Sequence, residues 1–253
     1  MVEGKNPVFE NLPHAQRIEI AKARMKRVVD HLLYSIEIHA NNSFIVYTPM
    51  LSSQIPKSFA ANAFNVFQRS MHQFEIVRVC ALWDSAGLEK ENIPTVVDLI
   101  ADDAIIEILA EEARRPWDDN GFGILNLSTD PEVEEVQKKV AKETDMQFGL
   151  NQAQRARVGL REVIDEVRAI LASQQLRSLM NIRDKHIAHN LERTHREKHG
   201  PIEPIKPGYE IELFGQSIPI AERLYLWVNG IGGTAAAWPF AAHAQQPAMP
   251  QPI

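Results

Sequence analysis

Cysteine is almost missing from this chain: Cys80 stands alone among 253 residues. A single thiol excludes a disulfide scaffold and a thiolate metal site built within one chain. Long apolar runs are missing too, which argues against a membrane span. The opening MVEGKNPVFENLPHAQ lacks the apolar core of a secretory signal. A reduced, cytoplasmic compartment is the expectation. No phosphate-binding P-loop, dinucleotide glycine fingerprint or G-x-S-x-G elbow is present, and Gly121-Phe-Gly123 and Gly230-Ile-Gly-Gly233 read as turns. Alternation at strand period is nearly absent, and no internal repeat is found.

What is present is an ordinary soluble composition, 45% apolar and 24% charged, with a net charge of −6. The charge is unevenly placed. Counting Lys and Arg against Asp and Glu gives 9 − 6 = +3 over residues 1–83 and 6 − 17 = −11 over 84–148. Residues 149–200 give 10 − 6 = +4 with four histidines, and 201–253 give 2 − 4 = −2. The acidic total therefore conceals a basic stretch able to attract phosphate. Mutual neutralisation across packed helices is the competing reading.

The periodicity predicts an all-α fold of five or six helices over residues 1–230. Ile18, Ala21, Met25, Val28, Val29 and Leu32 recur at helical spacing in a first helix that fades near Asn41. Residues 48–58 read as a loop, and Ser58 caps a second helix to about Asp84. Its stripe of Phe64, Phe67, Met71, Phe74, Val77 and Leu82 predicts a central position. Thr95 is expected to cap a third, which breaks near Asp102–Asp103. Thr129 or Asp130, with Pro131 behind it, starts a fourth, and Gly149 and Asn151 mark its break. A helical stretch from Gln152 to about Asn190 divides near Ser173. YEIELFG, from Tyr209, reads as a strand or an extended arm, and a last helix ends at Gly230. Cys80 is expected to be an inert core residue, and Trp83 and Asp84 to close the second helix.

One segment carries chemistry: SLMNIRDKHIAHNL, from Ser178 to Leu191. On an α-helix a six-residue step is about 120° around and ~9 Å along the axis. Arg183, His186 and His189 then share about a third of the circumference. Arg183 is a permanently charged fork suited to phosphate, and a histidine can move a proton near neutral pH. RNA brings its own nucleophile, the 2′-hydroxyl, so such a pair could cleave it without a metal and leave a 2′,3′-cyclic phosphate. A second copy of the helix could complete the pair across a symmetric dimer. The spacing H-x2-H-x5-H-x3-H from His186 to His199 also admits metal ligation, but no carboxylate aligns with it, and His195 and His199 read as surface residues of a polar stretch. No metal and no cofactor is expected.

RDKHIAHN resembles the Arg-polar-x3–5-His signature of the HEPN superfamily. CALWDSAGLEKENIPTVVDLI, from Cys80, resembles the Leu-Trp-Asp element of its abortive-infection, AbiU-like branch. The resemblance implies a helical ribonuclease of phage-defence or toxin–antitoxin type, acting on RNA as a homodimer, with an antitoxin as a further partner. It implies Arg183 and His189 as catalytic residues, with Asp184 orienting the site. Lys185, His186 and Asn190 are the expected substrate contacts. The alternative is a non-catalytic RNA- or nucleotide-binding or regulatory HEPN-like protein. Residues 231–253, IGGTAAAWPFAAHAQQPAMPQPI, resemble the end of an export signal of ABC-transporter substrate-binding proteins. That likeness implies a terminus replaced by insertion or frameshift and disordered after about Thr234.

Overall fold

The computed structural model describes residues 7–118 and 129–230. The expected disorder and foreign origin of residues 231–253 lie outside them. Among the described residues the secondary structure is helical throughout. The order is α1 (Pro7–Glu10), α2 (His14–Ile45), α3 (Pro49–Gln54), α4 (Phe59–Leu82), α5 (Ile93–Ile100) and α6 (Asp103–Arg114). A 3-10 turn at Arg115–Trp117 follows, then α7 (Pro131–Leu171), α8 (Gln174–Ile182), a π-helical turn at Arg183–Ile187, α9 (His195–Lys198) and α10 (Tyr209–Asn229). None of these helices is long and apolar enough to cross a membrane.

The predicted stripe of α2 is buried from Ile18 to Leu32 and packs against α4, α5 and α10. Arg17, expected on the polar face, is buried as well. Its Nε donates to the carbonyl of Leu99 at 2.9 Å and its Nη2 to that of Asp98 at 3.1 Å. These carbonyls lie in the last turn of α5, where a cation satisfies free acceptors and the negative end of the helix dipole. Ser58 caps α4 as expected, accepting from the Ala61 amide at 3.3 Å. The break before α6 falls beside the expected Asp102–Asp103 step, with Asp102 as the cap of α6. Trp83 is buried, and its indole N–H donates to Ser217 of α10 at 2.8 Å. This bond ties the end of α4 into the core.

Five local expectations are corrected. A short helix, α3, occupies part of the expected 48–58 loop. Helix α4 is central only from Glu75 to Leu82, its last turns, and Phe67 and Phe74 of the predicted stripe are exposed. Asn92, not Thr95, caps α5: its Oδ1 accepts from the Thr95 amide at 3.0 Å, while Thr95 is buried. Helix α7 runs unbroken through Gly149 and Asn151. Gly149 serves close packing there, since a Cβ would lie 3.1 Å from Cβ of Trp117. The YEIELFG segment is the first turns of α10. Glu210, Leu213, Phe214, Ser217, Ile220, Ala221, Leu224 and Val228 are all buried at helical spacing, and Pro219 is accommodated within the helix.

The acidic and basic stretches do meet across packed helices. Arg157 of α7 pairs with Glu107 of α6 at 2.7 Å, and Arg161 with Asp103 at 3.1 Å.

Candidate functional site

Ser173 ends the long rod of α7 and caps α8, accepting from the Leu176 amide at 3.2 Å. Leu176, Leu179 and Met180 bury one face of α8, which fixes where the following RDKHIAHN segment leaves the core. At Arg183 the helix widens into a π turn, closed by the Ala188 amide on the Arg183 carbonyl at 2.8 Å. Such turns are rare and concentrate at functional positions. The widening goes with contacts made to α9. On an α-helix, adjacent residues point about 100° apart. Here Asp184 and Lys185 both face α9: Asp184 pairs with Arg196, and Lys185 with Glu197 at 2.9 Å.

Helix α9 is held by its own polar groups rather than by apolar packing. Thr194 and Glu197 form a reciprocal capping box: the Glu197 amide donates to Thr194 Oγ1 at 3.1 Å, and the Thr194 amide to Glu197 Oε2 at 3.0 Å. Thr194 also donates its hydroxyl to Asn181, whose Nδ2 donates to Glu197 Oε1 at 3.1 Å. The Lys185 ammonium, with Asn181 and the Thr194 amide, holds the Glu197 carboxyl down to about 2.

The Arg183 guanidinium is mostly shielded from solvent. It donates from Nε to Asp184 Oδ1 at 2.8 Å and approaches Asp84 Oδ2 at 3.8 Å. Burial works against its charge, but the Asp184 carboxylate outweighs burial and raises its pKa further. It is a fixed cation. Asp84 is itself steadied: its carbonyl accepts from Asn92 Nδ2 at 3.0 Å, and its carboxylate lies 3.7 Å from Lys90 Nζ. Cys80 lies beneath, fully buried, and burial pushes its thiol up to about 12, consistent with an inert core residue.

The family model for AbiU2, of the HEPN type, matches residues 22–246. The chain belongs to this AbiU2 family. No curated protein and no solved structure matches it. The matched range includes the whole of the site and also residues 231–246, part of the stretch that resembles an export signal.

In this AbiU2-family chain the motif arginine and histidine are not joined within one copy. The helix ends at Ile187, so the expected common arc of Arg183, His186 and His189 does not hold beyond that point. His186, His189 and Asn190 are exposed, and among the described residues neither histidine has a hydrogen-bond partner. Arg183, Asp184 and Lys185 are brought together; His189 stands apart from them past the turn. His195 and His199 face each other with Nε2 atoms 3.2 Å apart. Among the described residues no group of three or more His, Cys, Asp or Glu side chains is arranged to hold a metal.

Asp84, Asn181, Thr194, Arg196 and Glu197 of the site were not among the site residues expected from the sequence. The signal for Glu197 was present as T-x-x-E over Thr194–Glu197, the mark of a capping box. For Asp84 the only signal was the Leu-Trp-Asp element. Nothing local in the sequence points to Arg196, whose partner Asp184 lies twelve residues earlier on the π turn.

Proposed function

We propose that this chain is a metal-independent endoribonuclease of a phage-defence or toxin–antitoxin type, acting as a homodimer. The observation that carries the reading is one fixed guanidinium and, in the same motif, two exposed imidazoles that have no hydrogen-bond partner among the described residues. Arg183 donates to the non-bridging phosphate oxygens of RNA, which charge-assisted forks bind strongly. Asp184 holds the fork in orientation. His189 takes the proton of the 2′-hydroxyl, whose oxygen attacks the adjacent phosphorus. The bond from phosphorus to the 5′-oxygen breaks, and that oxygen leaves with a proton from the imidazolium of the facing copy, which becomes neutral imidazole. The products are a 2′,3′-cyclic phosphate and a 5′-hydroxyl. Lys185, His186 and Asn190 contact the RNA around the cleaved bond.

The test is incubation of a mixed RNA pool with purified protein in EDTA. Cleavage by the wild type, giving cyclic-phosphate ends and abolished by His189→Ala and Arg183→Ala, is the expected result. No cleavage by a folded, dimeric wild type would overturn the nuclease reading in favour of a non-catalytic RNA- or nucleotide-binding or regulatory role.

A further inference from the structure

A concavity of about 690 Å³ opens directly beside the motif. Its near wall is Lys185 of the π turn, and its far wall is built by Glu192, Arg193, Glu197, Lys198 and His199. The size falls within the range that accommodates a nucleotide-sized group. We propose that this concavity is the strand-binding subsite: it takes the phosphodiester backbone of single-stranded RNA next to the cleaved bond. The proposal rests on the nuclease reading for the identity of the polymer, but not for the chemistry of recognition.

The charges decide which groups are free to bind. Glu197 is saturated by Lys185, Asn181 and the Thr194 amide, so its negative charge is spent inside the wall. Arg196 is likewise engaged by Asp184. Arg193 donates only to a backbone carbonyl, that of Glu197 at 2.9 Å, and among the described residues neither Arg193 nor Lys198 has a carboxylate partner. Two unneutralised cations therefore face the concavity against a single carboxylate, Glu192. The Arg193 guanidinium, just before the cap of α9, and the Lys198 ammonium at the end of that helix suit phosphate oxygens. The lining contains no Phe, Tyr or Trp side chain on which a base could stack. Recognition should therefore follow the backbone and be largely indifferent to sequence.

The segment is also anchored well enough to serve as a wall. Thr194 is buried, and Ser178 of α8 donates its hydroxyl to the Glu203 carbonyl at 2.8 Å, pinning the chain that leaves the concavity.

The experiment measures binding of a fluorescent single-stranded RNA of about 12 nucleotides, a length within the usual single-strand site sizes, to the full chain carrying His189→Ala, so that affinity is read without cleavage. Arg193→Ala/Lys198→Ala is added in one sample. In another, Lys139→Ala/Lys142→Ala removes the same charge from exposed positions on α7. The first pair should weaken binding roughly tenfold at low salt, equally for several sequences, and flatten the salt dependence by about 0.7 for each phosphate no longer held. The second pair should change little. Equal weakening by both pairs would reduce the effect to net charge and overturn the subsite, as would no weakening by the first. Circular dichroism establishes that each variant is folded. The two proposals fail separately. Binding that depends on Arg193 and Lys198 in a protein that never cleaves RNA sinks the nuclease and keeps the subsite. Cleavage with a KM unaffected by the first pair does the reverse.

Discussion

Two carboxylates of this molecule each accept three hydrogen bonds, and the comparison between them separates what holds the fold from what holds the site. Glu75 of α4 is 1% exposed and receives His39 Nδ1 at 2.5 Å, Asn42 Nδ2 at 2.5 Å and the Tyr47 hydroxyl at 3.0 Å. Burial alone would push its carboxyl up, but these donors outweigh burial and hold it below the ordinary range. Burial and the same carboxylate push the Tyr47 phenol well above its usual value. Glu197 has the same number of donors but sits at the wall of an open concavity, on a helix of four residues. The first network joins the end of α2 to α4 in the core. The second joins the motif turn and Asn181 of α8 to α9. The chemistry is alike; what differs is the solvent available when a partner is removed.

The largest expected effect breaks the buried network. Glu75→Ala strands three donors and should cost about 3–5 kcal/mol of global stability, as loss of one member of a buried charged set does. Urea unfolding checks it. A loss below ~1 kcal/mol would mean that water reaches the cluster and would erase the contrast with Glu197. A neutral counterpart is Ser217→Ala, which leaves the buried Trp83 indole N–H without its acceptor. It should cost about 1–3 kcal/mol, read by the same unfolding curve.

At Glu197 the effect should be local. Glu197→Gln should leave the unfolding midpoint close to wild type while the amides of Glu197 and Lys198, bonded to Thr194 Oγ1 and to the Thr194 carbonyl, exchange faster with solvent. Hydrogen exchange resolved by residue checks it. A midpoint shift as large as that of Glu75→Ala would place α9 inside the cooperative core.

How much of this was legible in the sequence follows the same division. The core around α2 was legible, because apolar spacing reports burial directly: the α2 stripe, the Ser58 cap, the division near Ser173 and the split before α6 stand where the sequence pattern puts them. Glycine was misread. Gly149 looked like a break, yet it lets α7 approach Trp117, and at Gly159 an added Cβ would meet the Trp227 indole at 2.5 Å. Close approach is a property of the neighbour, which no local pattern contains. Tyr209–Gly215 was misread because its buried Glu210, and Ser217 just beyond it, interrupt the apolar stripe; their partners, His72 and Trp83, are supplied by α4 and by the residue that follows it. At the site, the identity of RDKHIAHN was visible, but its geometry was not. The π turn goes with the contacts that Asp184 and Lys185 make to α9, a tertiary feature that helical arithmetic at about 100° per residue cannot register.

The smallest effect is also the finest discriminator between the two networks, and it lies in their acid response. Both carboxyls are depressed in the folded state, so each contributes stability that is fully present above the unfolded value of 4.5 and is lost as pH falls through its folded value. For Glu197 that window runs from 4.5 down to about 2. Protonation there removes the acceptor of Lys185 and Asn181, so α9 should loosen in this range while the core remains folded. Protonating Glu75 instead leaves His39, Asn42 and Tyr47 facing a neutral acid in the core, and its loss should appear only with global unfolding. His72 runs the other way. Its bond to Glu210 at 3.0 Å raises its pKa above 6.5, so its contribution is complete below 6.5 and fades as pH rises through the folded value. An NMR titration from about pH 7 down to about pH 2 should therefore show the α9 amides moving before the α4 amides around Glu75. Simultaneous movement would mean that the motif turn and the buried network are one cooperative unit, and that the wall of the concavity is as rigid as the core.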